Sequence, residues 1–139
     1  MTDAADGSSL LANAPVFAIL LSTDLEASRR FYGETLGLTF IREDHFGTEE
    51  RLVYQAGDGT RIVISKSTVG TSDTQTQCAF RVPDIRAAVA ELRARGVRIM
   101  DYVAPAPVTD DGVADMRHSW AAWFIDPSGN CLAMVQPKG

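Results

Sequence analysis

The chain carries one pattern twice, and that repetition limits its folds more than any single motif does. Asp24 opens a stretch in which Leu25, Ser28, Phe31, Tyr32 and Leu36 fall near one helical stripe, and Gly37 is placed to end it. Asp84 opens a second stretch in which Ile85, Ala88, Val89 and Leu92 keep helical spacing, and Gly96 ends that one. An apolar run precedes each helix: Val16 to Leu21 before the first, Gln77 to Val82 before the second.

After each helix comes a strand and then a hairpin. In the first half, Leu38 to Arg42 is the strand, and Glu43 to Thr48 is a polar linker. Arg51–Gln55 and Arg61–Ile64 then flank Ala56-Gly57-Asp58-Gly59-Thr60. In the second half, Val97 to Tyr102 is the strand. Ser119–Ile125 and Cys131–Val135 flank Asp126-Pro127-Ser128-Gly129-Asn130. That last loop is a turn with a mechanism. Pro127 presets φ, Asp126 bonds the backbone ahead of it, and Gly129 accepts a positive φ. Two apolar runs joined by such a loop make a hairpin.

Each half therefore predicts β-α-β-β-β. The class is α+β: two tandem βαβββ modules, each a small sheet with a helix on one face, forming a curved mixed sheet around a shared cavity. The expected organisation is a flexible tail over 1–14 and one domain over 15–139. Module one spans about 15–66 and module two about 76–136. The Ser-, Thr- and Gly-rich stretch Lys66 to Thr76 is the seam. The second half is longer by roughly ten residues, mostly in the Pro-rich segment Val103 to Val113, a loop of the length that often covers a site.

Bulk properties narrow the function. A chain of 139 residues with 45% hydrophobic and 22% charged residues suits one soluble globular domain. A net charge of −5 argues against nucleic acid or an anionic membrane as partner. No apolar run reaches the ~20 residues of a membrane span, and no signal peptide is evident. Cys78 and Cys131 are expected as free buried thiols in a cytoplasmic protein.

The run Asp24-Leu25-Glu26-Ala27-Ser28-Arg29-Arg30-Phe31-Tyr32, then Leu36-Gly37-Leu38, resembles the opening module of the vicinal oxygen chelate superfamily. That group includes glyoxalase I, extradiol dioxygenases, fosfomycin-resistance proteins and bleomycin-resistance proteins. Asp126 to Asn130 resembles its closing turn, and the likeness covers about Val16 to Gln136. The resemblance implies a homodimer and, in metal-using members, His, Glu or Gln ligands at four positions. Those positions match Phe17, Val63, Gln77 and Ala133 here. Only Gln77 could bind a metal, whereas a stable site needs about three or four N, O or S donors. No metal and no other cofactor is expected. His45 and His118 are not spaced to form a replacement site.

If the four positions face the cavity, strand alternation adds their neighbours. Phe17, Ile19 and Leu21 line it from the first strand, and Gln77, Ala79 and Arg81 from the fifth. Cys131, Ala133 and Val135 line it from the last. Across the final hairpin a five-residue loop pairs Trp123 with Ala133, which turns Trp123 and Ala121 inward with Val53 and Arg51 in the first half. A turn shorter by one residue would bring Trp120 and Tyr54 inward instead.

The expected ligand site is then Phe17, Arg51, Val53, Gln77, Arg81, His118, Ala121, Trp123 and Ala133, an apolar and aromatic pocket with few polar groups. Three functions fit it. One is a metal-free binder that sequesters an apolar or aromatic compound or antibiotic. The second is a metal-independent lyase or isomerase using Arg51 or His118. The third, disfavoured by the four positions, is a metal-dependent glyoxalase or dioxygenase.

Overall fold

The computed structural model describes residues 10–46, 49–71 and 75–139. The first part of the expected tail, the end of the Glu43–Thr48 linker and the middle of the Lys66–Thr76 seam lie outside them. A 3-10 turn, Leu11–Asn13, leads into the first module with Leu10 and Leu11 exposed.

Module one runs β1 (Ala18–Ser22), α1 (Leu25–Arg29), a π-helical turn (Arg30–Thr35), β2 (Thr39–Phe46), β3 (Glu49–Ala56) and β4 (Thr60–Lys66). Module two runs β5 (Thr76–Arg81), α2 (Ile85–Ala94), β6 (Thr109–Asp110), β7 (Val113–Asp115), β8 (Ser119–Ile125) and β9 (Cys131–Pro137). The first sheet has the order β1-β4-β3-β2 and the second β5-β9-β8-β7-β6. β1 is parallel to β4 and β5 to β9, and the other pairs are antiparallel.

The helix starts are local chemistry repeated. The Asp24 carboxylate accepts from the Ala27 N–H, and the Asp84 carboxylate from the Ala87 N–H, each at 3.1 Å. The first helix ends differently from expectation. It widens after Arg29, and the Leu36 N–H reaches the Phe31 carbonyl five residues back at 2.8 Å. This wide turn presents Phe31 and Tyr32 to the second module.

Register shows the repetition in three dimensions. Ile19 pairs with Val63 and Ala79 with Ala133; Val53 pairs with Val63 and Trp123 with Ala133. The second module departs from the pattern most after its helix. Val97 to Tyr102 does not form the expected strand: Ile99 makes an isolated antiparallel bridge to Phe124. Pairing resumes only at Ala114, opposite Ala121. Ile99 thus sits where Phe40 sits against Tyr54, and Ala114 where Asp44 sits against Arg51. The extra residues leave the sheet between these two points, and their return adds the short β6–β7 pair. The polar linker after Arg42 also differs, because β2 continues through it to Phe46.

One core cluster joins the modules. Leu20, Tyr32, Leu52, Tyr54, Ile62 and Ile64 meet Ile85, Val89, Leu92, Phe124, Leu132 and Met134 on the helix-bearing faces. Each fully buried side chain of this size contributes about 1.5–3 kcal/mol of transfer free energy. A smaller cluster, Ala114, Ala121, Trp123, Cys131 and Ala133, lies on the opposite face of the second sheet under Met100 and Tyr102. Among the described residues, no helix is long and apolar enough to cross a membrane.

Candidate functional site

Alternation along the strands gives each sheet a face turned away from the helices. On the first sheet this face carries Ile19, Leu21, Arg51, Val53, Val63 and Ser65, since Leu20, Ser22, Leu52, Tyr54, Ile62 and Ile64 are buried on the other. On the second it carries Ala79, Ala121, Trp123, Cys131, Ala133 and Val135. The hairpin pairs Ile125 with Cys131 and Trp123 with Ala133, so Trp123 takes this face while Trp120 packs toward the main core.

The two faces differ in cover. On the second sheet, the excursion after Ile99 folds back over the strands. The Met100 N–H donates to the Trp123 carbonyl at 2.8 Å, and the Tyr102 ring meets the Trp123 ring edge-on at 5.5 Å. The Trp123 indole N–H donates to the Thr76 hydroxyl at 3.2 Å. Ala121, Trp123 and Ala133 are therefore buried beneath the chain's own segment. On the first sheet, Ile19 is 54% exposed. A hollow of about 560 Å³ is lined there by Ile19, Leu21, Glu49, Arg51, Ser65 and Lys66. The Arg51 side chain is 28% exposed and pairs with Glu49 at 3.8 Å.

A second hollow, about 550 Å³, lies at the seam between the modules. β1 and β5 are edge strands of their sheets, and among the described residues no backbone hydrogen bond joins them. Phe17, Ala18 and Ile62 line the seam from one side, and Cys78, Phe80 and Arg81 from the other. Phe17 is 58% exposed there.

The sequence-derived site is thus distributed over several places. Phe17 and Arg81 meet at the seam. Arg51 lines the first sheet's hollow, and Val53 is buried on that sheet. Ala121, Trp123 and Ala133 lie under the excursion. Gln77 falls at a bulge between Thr76 and Cys78, is exposed, and turns its amide N–H to the Gln75 carbonyl at 3.3 Å. His118 is exposed at the entry to β8 and lines none of these hollows. Ile62, Cys78 and Phe80 line the seam yet were not in that set. Periodicity assigns them to the core, and only the separation of the two edges reveals them.

The chemistry available is limited. At the four positions implied for metal ligands, Val63 and Ala133 are 7% and 3% exposed and offer hydrocarbon only, as does Phe17. That donor set does not fit a metal. Among the described residues no three His, Cys, Asp or Glu side chains converge. Burial raises the Cys78 thiol above its ordinary pKa, which keeps it protonated and weakens it as a nucleophile. The Arg51 guanidinium presents N–H donors and no acceptor.

Comparison with known proteins agrees with this architecture. The sequence model of the Glyoxalase/Bleomycin resistance protein/Dioxygenase superfamily matches residues 15–134. No curated protein matches the chain. Among solved structures, SMU.1112c is similar at 25% identity and TM-score 0.67, over 88% of this chain and 98% of that one. A glyoxalase family protein from Enterococcus faecalis is similar at 20% identity and TM-score 0.68, over 91% and 99%. TnmS3, an antibiotic binding protein from Streptomyces sp. CB03234, is similar at 21% identity and TM-score 0.59, over 91% and 98%. From its sequence match and its paired modules, the chain belongs to the Glyoxalase/Bleomycin resistance protein/Dioxygenase superfamily.

Proposed function

We propose that this protein is a metal-independent small-molecule binder that holds a partly apolar or aromatic compound between its two modules. The observation that carries the reading is the side chains at the four implied ligand positions. Phe17, Val63 and Ala133 have no donor atom, and the amide of Gln77 turns to the Gln75 carbonyl just before its strand. A site so composed supplies apolar surface in place of coordination. Hollows of about 550 and 560 Å³ lie within the range of small-molecule pockets, roughly 300–1,000 Å³.

The alternative, a metal-independent enzyme in which Arg51 or His118 polarises or protonates a substrate, would show itself as turnover of a bound compound. The fold shared with TnmS3 is in keeping with sequestration of an antibiotic-like compound. We assign the protein to the cytoplasm as a homodimer, a state that light scattering of the purified chain would check.

The test is a metal titration beside a compound screen. Added Ni²⁺, Zn²⁺, Mn²⁺ and Fe²⁺ should bind no tighter than roughly millimolar, because fewer than the usual three or four donors are available. A matching compound at about 100 times its Kd should add ~2.7 kcal/mol of stability, read as a raised Tm. One metal held tightly per chain would overturn the reading.

A further inference from the structure

The seam between β1 and β5 carries more than apolar surface. Its lining includes Phe17, Ile62, Cys78 and Phe80, and also Arg61, Arg81 and Asp58. Arg29, Arg42, Arg51, Arg93 and Arg95 each have a carboxylate within 4 Å. Among the described residues, Arg61 and Arg81 do not, and neither do Arg30, Arg86, Arg98 and Arg117; of these six, Arg61 and Arg81 are the ones that line the seam. These two guanidinium groups share one hollow, on a chain whose net charge is −5. The backbone adds donors. The Val82 N–H donates to the Val135 carbonyl. By the alternation of a parallel ladder, the N–H groups of Ala79 and Arg81 then point away from β9, toward the seam.

We propose that this seam binds a small aromatic carboxylate, its ring system against Phe17, Ile62 and Phe80 and its carboxylate on Arg61 and Arg81. The inference rests on the small-molecule reading above and names the ligand class for one of its hollows. Guanidinium suits the task because its fork of N–H donors meets a carboxylate in two parallel bonds. Asp58 opposes the same anion from the rim.

The test uses two probes of one shape, 2-naphthoate and its neutral amide, titrated calorimetrically into the full chain. Naphthoate should bind about tenfold tighter than the amide, as charge-assisted bonds outweigh neutral ones. Arg61→Gln and Arg81→Gln, both at exposed positions, should each remove most of that advantage and leave amide affinity unchanged. Asp58→Asn should strengthen naphthoate alone, and Phe17→Ala should weaken both probes.

Equal affinity for the two probes, indifferent to Arg61 and Arg81, would overturn the anion site and leave the small-molecule reading standing. So would silence toward both probes from a protein that still shifts its Tm with another compound. Silence in both experiments would sink the two proposals together. Naphthoate binding that disappears as the chain dimerises with rising concentration would assign the seam to a second copy and overturn the site.

Discussion

The Tyr32 hydroxyl donates to Asp126 Oδ2 at 2.5 Å, across 94 residues of sequence, and joins the first module's widened helical turn to the second module's closing loop. Asp126 is buried and saturated. Its Oδ1 accepts from the Ser128 and Asn130 N–H groups, each at 2.9 Å, and its Oδ2 also accepts from the Asn130 side chain at 2.8 Å. The same loop reaches back to module one. The Asn130 amide donates to the Leu21 carbonyl at 2.8 Å, and the Ser128 hydroxyl accepts from the Thr23 N–H at 3.0 Å. The loop that closes the last hairpin is also a weld between the modules.

Tyr32→Phe removes one donor from that buried carboxylate and leaves the ring in place. The expected loss is about 1–3 kcal/mol, the usual cost of an unsatisfied buried polar group. Urea unfolding of the two proteins measures it. A loss below about 0.5 kcal/mol, the range of ordinary surface substitutions, would mean that the weld lies elsewhere in the loop.

The same hydroxyl makes stability depend on alkaline pH. Burial first, and then the neighbouring Asp126 charge, raise the Tyr32 phenol far above its ordinary pKa of 10.0. In the unfolded chain it ionises near that value, while in the folded chain it stays neutral. Its contribution is therefore complete below pH 10 and falls as pH rises beyond it. The wild type should lose about 1.4 kcal/mol per pH unit above 10 from this group. Tyr32→Phe should lack that component, so the two stability curves should converge as pH rises. Curves that stay parallel between pH 9 and 11 would contradict the assignment.

The loop also sets a steric demand at Gly129. Its φ is +89°, and a Cβ there would stand 2.8 Å from the Thr71 carbonyl oxygen. Gly59, at the matching place in the first hairpin, has φ +83° and nothing within 4 Å of such a Cβ. Gly59→Ala should therefore cost only the left-handed backbone term, about 1–2 kcal/mol. Gly129→Ala should cost more, because backbone must also move. Equal losses in thermal unfolding would show that Thr71 gives way freely.

These contrasts mark how far the sequence could be read. Asp24 and Asp84 announce their helices because a cap is a bond to a backbone only three residues away. The register of β8 and β9 follows from a loop of defined length, and with it the orientation of Trp123. Longer-range facts left no comparable signal. Nothing around Phe31 betrays the wide turn, which exists so that Tyr32 and Phe31 can meet Asp126 and Phe124. The Pro-rich composition near Pro105 and Pro107 hid β6 and β7. The face of Ala121 and Ala133 was legible, but its cover was not, because the segment that covers it has no counterpart in the first half. Gln77 stood out as polar at a strand head, yet a bulge turned it outward.

That covering segment makes the last prediction. Tyr102 rests edge-on against Trp123, and such ring pairs contribute about 0.5–1.5 kcal/mol beyond the area they bury. Tyr102→Ala should destabilise the protein by at least that amount. In a Trp120→Phe background, emission comes from Trp123 alone, since the chain has two tryptophans. Trp123 is 9% exposed with the segment in place. Loss of the Tyr102 ring should let water reach the indole and shift its emission to the red. Val103→Ser, a change at an exposed residue of the same segment, should leave the emission where it was. An unshifted spectrum in Tyr102→Ala would mean that the strands themselves, through Thr76 and the neighbouring alanines, keep Trp123 dry.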